Sequence, residues 1–129
     1  MATRHQVRQA VISLLYARDM DGSSDEFKDE FLEDKKIRNK QKEFAQTLYN
    51  GVLENLENID EALNSHLSEY KLDEVGEVER AILRLGAYEI KYTSLDKAVA
   101  INEAIELAKA MAGDNSPSFI NGVLDNVEK

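Results

Sequence analysis

Residues 77–92, EVERAILRLGAYEIKY, set the tightest limit on how this chain folds. Wound as an α-helix, the segment carries Val78, Ala81, Ile82, Leu83, Leu85, Ala87, Tyr88 and Ile90 on nearly every side. A helix with one apolar stripe lies on a surface, whereas one that is apolar all round has to be surrounded. The remaining chain must therefore supply neighbours for it. At 129 residues there is enough for one domain with a real core and too little for two of ordinary size.

Those neighbours read as helices. Six glycines and one proline leave few breaks, and Asn50-Gly51 and Asn121-Gly122 both fall inside helical periodicity. The expected class is all-α: one domain over residues 1–129, about seven helices, the fifth of them central. The first should run from about Thr3 to Met20, burying Val7, Ala10, Val11, Leu14 and Leu15. Opposite that stripe fall His5, Gln9, Ile12 and Tyr16, with Arg8 at the margin. Ser24 is placed to cap a short second helix carrying Phe27, Phe31 and Leu32. A third is expected from about Lys40 to Glu57, with Gly51 beside its stripe as a point of close backbone approach. Residues 59–70 give a fourth, with Ile59, Leu63 and Leu67 inward. Thr93 and Asp96 have capping-box spacing for a sixth helix, AVAINEAIELAKAM, and Ser116-Pro117 reads as the start of the seventh.

No catalytic constellation emerges. There is no cysteine, so thiolate zinc sites and disulfides are excluded. His5 and His66 are far apart, and Glu103 with Glu106 lacks the Glu-x-x-His partners of a di-metal site. A solvated face with Lys109 explains that pair without a metal. Neither a phosphate-cradling glycine loop nor a nucleophile elbow occurs. No enzyme activity, metal or cofactor is expected. No run reaches the ~18 apolar residues of a membrane span, and MATRHQVRQA has no secretion-signal core, so the expected location is cytoplasmic.

Charge is more informative. Against a net −9, residues 1–18 hold Arg4, Arg8, Arg18 and His5 with no acid, and residues 35–42, KKIRNKQK, hold five basic residues and no acid. Any nucleic-acid contact must be local. On the first helix, arginine forks for phosphate would stand near Tyr16, a ring for a base; a solvated arm with a packed Tyr16 is the alternative. The 35–42 cluster reads equally as a solvated connector. Glu77 and Glu79 favour the dipole at the start of the fifth helix, and with Glu74 they also make an acidic surface.

One residue resists ordinary patterning. Ile120, Val123, Leu124 and Val127 form the apolar face of the last helix, yet Phe119 lies about 90° from it, beside Gly122.

The carboxy-terminal third carries more than periodicity. VERAILRLGAYEI, AVAINEAIELAKAM and SFINGVLDN, together with RQAVISLLYARD near the start, resemble the NusB family of bacterial transcription antitermination factors. The resemblance is strong over about 77–126 and at the first helix; about 20–70 matches only in helical pattern. It implies a compact seven-helix fold without enzymatic activity. It also implies a partnership with NusE, a small-subunit ribosomal protein. The pair would bind single-stranded boxA RNA of nascent ribosomal RNA transcripts and join RNA polymerase with further Nus factors. By the same resemblance the RNA-binding residues are Arg4, His5, Arg8, Tyr16, Asn115 and Phe119, and Glu79, with the neighbouring Glu74 and Glu77, faces the protein partner. The arginine arm is thinner than the family's, with His5 and Gln6 at positions that can hold arginine. Weak RNA binding by this chain alone is one consequence, and a protein-interaction module with little RNA binding of its own is the rival reading. On the first reading Phe119 lies off the core stripe because its partner is outside the protein.

Overall fold

The computed structural model describes residues 2–22, 24–69 and 71–129. Among them, seven α-helices and no strands occur: α1 Arg4–Asp21, α2 Asp25–Asp34, α3 Lys40–Glu54, α4 Leu56–Asn64, α5 Glu77–Tyr92, α6 Lys97–Met111 and α7 Ser116–Leu124, with a short 3₁₀ turn at Leu72–Glu74. In α5 every residue from Ala81 to Ile90 except Arg84 is buried. It packs against α1, α3, α4, α6 and α7. Such surroundings suit a helix with no polar face to give to water. Gly86 brings α7 close: a Cβ there would lie 2.6 Å from Leu124 Cδ1.

Polar anchors orient the same helix. Arg84 donates to both carboxylate oxygens of Asp60 on α4, at 2.9 and 2.8 Å. Arg80 donates to Asp19 on α1 at 2.9 Å and to the carbonyls of Leu72 and Asp73. The 3₁₀ turn ahead of α5 is thereby tied to the helix it introduces.

Several boundaries differ from the expected ones, each for a local reason. α3 stops at Glu54 because Asn55 leaves helical geometry, with φ −115°, and its side-chain amide donates to Gly51 O at 2.8 Å. A separate α4 starts at once and ends at Asn64; Leu67 is buried beyond it without helix, and position 70, the expected end, lies outside the described residues. At Gly51 the close neighbour is a side chain, not a backbone: the Tyr88 ring occupies the space a Cβ would take. Thr93 closes α5 instead of opening α6, donating to Glu89 O at 2.6 Å and accepting from Leu95 N–H at 3.2 Å. Asp96 stands at the start of α6 without a side-chain cap bond. Ser24 does cap α2, accepting from Phe27 N–H at 3.2 Å.

Candidate nucleic-acid interface

α1 is anchored at its start by Thr3. The threonine Oγ1 accepts from Gln6 N–H at 3.0 Å, and Gln6 Oε1 accepts from Thr3 N–H at 2.8 Å, a reciprocal capping box. Position 6 thus has an amide with a structural task. The first turn holds no acid to balance the positive end of the helix dipole, and Arg4 adds charge to it. Both features favour an anion at this point. Arg4 is exposed, its guanidinium carbon 3.8 Å from the centroid of the Phe44 ring. Stacking holds the guanidinium by its face and leaves the in-plane N–H fork for another partner.

Arg8 is different. It is only 5% exposed, and its Nε and a terminal nitrogen donate to the two oxygens of Glu89, at 2.9 and 2.8 Å. Glu103 of α6 lies 3.8 Å from it on another side. Burial works against the charged guanidinium, but the hydrogen bond to Glu89 and the carboxylates of Glu89 and Glu103 outweigh it and raise the pKa above its usual value. The residue expected to offer a phosphate fork therefore spends that fork inside the protein. A helix wheel puts Arg8 at the margin of the stripe but does not show what stands across from it. Ile12, expected on the outer side, is likewise buried, at 1% exposure. Glu103 is drawn inward with Arg8 and sits 3.9 Å from His5 Nδ1, whereas Glu106 pairs with Lys109 at 3.1 Å on the surface. On the arm, Arg4 and the half-buried His5 remain available, with Tyr16 exposed farther along α1.

The second part of the site is at the start of α7. Ser116 is the first helical residue, not the cap; Asn115 precedes it, exposed and without a side-chain cap bond. The Ser116 hydroxyl instead donates to Glu79 Oε2 at 2.5 Å, joining α7 to the first turn of α5. Phe119 packs by one side against the core and is half-buried. Hollows of about 210 and 360 Å3 flank it: one shared with Gly76, Glu79 and Asn115, the other with His66, Leu67 and Gly122. A Cβ on Gly122 would meet nothing within 4 Å, so the space on that side is open. Glu74 and Glu77 are exposed on the approach to α5, and Glu74 Oε1 accepts from Lys71 N–H at 3.0 Å. Glu79, half-buried, belongs to both groups: it lines the same hollow as Asn115 and Phe119 and continues the acidic surface.

The NusB family model matches residues 5–129. A transcription antitermination protein NusB from Campylobacter fetus subsp. fetus is 64% identical over 129 residues, covering all of this chain and 98% of the relative. Among solved structures, T. maritima NusB superposes with a TM-score of 0.88 at 33% identity, over 98% of this chain and 90% of that one. A second solved structure, antitermination factors NusB and NusE in complex with dsRNA, gives 0.86 at 31% identity, over 96% of this chain and 94% of that one. The family model, the relative and the solved structures all match along nearly the whole chain: the chain belongs to the NusB family of transcription antitermination proteins.

Proposed function

We propose that this protein is a non-enzymatic cytoplasmic adaptor, folded as one domain. With NusE it binds single-stranded boxA RNA of nascent ribosomal RNA transcripts, and it supports processive transcription by RNA polymerase with other Nus factors. The observation that carries this reading is the shared hollow at the start of α7. There Asn115 and Phe119, suited to RNA, adjoin Glu79, suited to a basic protein. Two ligands docked on either side of it would touch each other, and favourable contacts between them would couple their binding. A half-buried ring between two hollows suits stacking on an unpaired base better than on one held in a duplex, which favours a single strand. Arg4, His5 and Tyr16 supply the second contact region.

Commitment of Arg8 to the interior favours dependence on the partner: Arg4 and Arg18 are the exposed arginines left on α1, a small electrostatic footprint. The acidic side is tested by charge reversal. Glu77→Lys should weaken NusE binding roughly tenfold, about 1.4 kcal/mol. The exposed Glu77 has only its dipole interaction to lose on folding, a few tenths of a kcal/mol. Glu79→Lys should lower both partner affinity and melting temperature, because it also breaks the bond from Ser116. Calorimetric titration and thermal unfolding of the two variants separate these effects. Unchanged NusE affinity in both would remove the acidic surface from the interface.

A further inference from the structure

Across α1 from the buried Arg8, a groove of about 510 Å3 opens between this helix, the α2–α3 connector and the end of α6. Its lining includes Gln9 and Ser13 from α1, Phe31, Lys35 and Lys36 from the connector side, and Met111 from α6. Among the described residues no carboxylate lines it, although the chain carries 25 acids against 16 lysines and arginines. The basic residues at 35–42 divide into two sets. Arg38 pairs with Glu33 at 2.7 Å and Lys42 with Asp29 at 3.8 Å, whereas Lys35, Lys36 and Lys40 have no acid partner among the described residues. Two of those three, Lys35 and Lys36, face the groove, and Lys35 Nζ lies 5.5 Å from the centre of the Phe31 ring that also lines it. Lys36 is also held at φ +59°, a left-handed conformation that a glycine or asparagine adopts more readily. That conformation closes α2: Lys36 N–H donates to Glu33 O and Ile37 N–H to Leu32 O, both at 2.9 Å, and a lysine there also suits the negative end of the helix dipole.

We infer that this groove is a further RNA-binding surface, in which Lys35 and Lys36 hold backbone phosphates while Gln9, Ser13 and the apolar floor meet a base. The inference rests on the RNA-binding reading above. Its occupant follows from charge and from position. Met111 ends α6 and lies four residues before Asn115, so the groove is within about 14 Å of the Phe119 hollow along the chain. One strand can cross from one to the other over the α6–α7 connection. An acidic peptide would satisfy the lysines but would find only a small apolar floor, and it has no continuity with a second binding surface.

The test uses the complex of the full chain with NusE and a single-stranded boxA RNA. Lys35→Gln with Lys36→Gln should reduce the slope of log affinity against log salt by about 1.4, for two phosphate contacts on a single strand. Relative to 1 M salt, that slope corresponds to a loss of roughly 25-fold at 0.1 M. Shortening the RNA from the end that reaches the groove should weaken wild type but not the double variant. Lys40→Gln, which removes an unpaired charge outside the groove, should do much less. Lys36→Gly, which relieves the backbone, should melt no lower than wild type and still bind RNA less tightly. A double variant that binds like wild type while Phe119→Ala is impaired would overturn the groove and leave the RNA reading standing. An equal loss in Lys40→Gln would also overturn it, by reducing the effect to net charge. Wild type that binds no strand even with NusE would overturn both.

Discussion

Replacing Arg8 by alanine should destabilise the fold by about 3–5 kcal/mol, the effect of leaving a buried carboxylate without its counter-charge. Glu89 is 4% exposed, and its two oxygens are held by the arginine fork. Arg8→Lys should fall between, since an ammonium carries the charge but cannot make both in-plane bonds. Arg8→Met combined with Glu89→Leu should recover most of the loss, because removing both charges leaves no orphan. Denaturant unfolding of the four proteins measures this directly. The consequence for function is separable: under conditions where Arg8→Lys remains folded, its salt slope for RNA should match wild type, because the Arg8 fork is committed to Glu89. A stable Arg8→Ala protein with a flattened salt slope would put this arginine back on the surface.

Phe119→Ala should cost about 1–3 kcal/mol of RNA affinity, roughly 5- to 150-fold, the worth of one base stacked on an aromatic ring. The ring is half-buried, so its stability cost should stay below the ~3–5 kcal/mol of deleting a fully buried phenylalanine. Asn115→Asp supplies the electrostatic counterpart. A carboxylate beside the strand repels phosphate, and the effect should shrink as salt rises. The Asn115 side chain makes no cap bond, so melting should barely change. Binding titrations with thermal unfolding of both variants distinguish a stacking ring from a core ring. Normal RNA affinity with a large fall in melting temperature for Phe119→Ala would make it a core residue.

How far the sequence carried these conclusions depends on the range of each interaction. The seven helices were legible because apolar periodicity is a local signal, and α5 stood out because its pattern has no polar side. The Phe119 anomaly was also local, an aromatic off its own stripe. The Thr-x-x-Gln capping box at the start of α1 has a sequence signature and went unused. Arg8 was not legible: the acid that buries it lies 81 residues away, and no helix wheel contains it. Glu79 and Ser116, 37 residues apart, changed meaning for the same reason, since a cap and a dipole partner became one contact between helices. The break at Asn55 was missed because periodicity continues across it, while only the backbone turns.

The central claim is that RNA and a basic protein meet on this fold and bind better together than apart. It is tested by titrating a single-stranded boxA RNA with the protein alone and with NusE, each at two salt concentrations. The account predicts weak binding alone, tighter binding with NusE and a steeper salt dependence in the complex, because the partner adds phosphate contacts. RNA affinity and salt slope unchanged by NusE, or no RNA binding in either case, would contradict it.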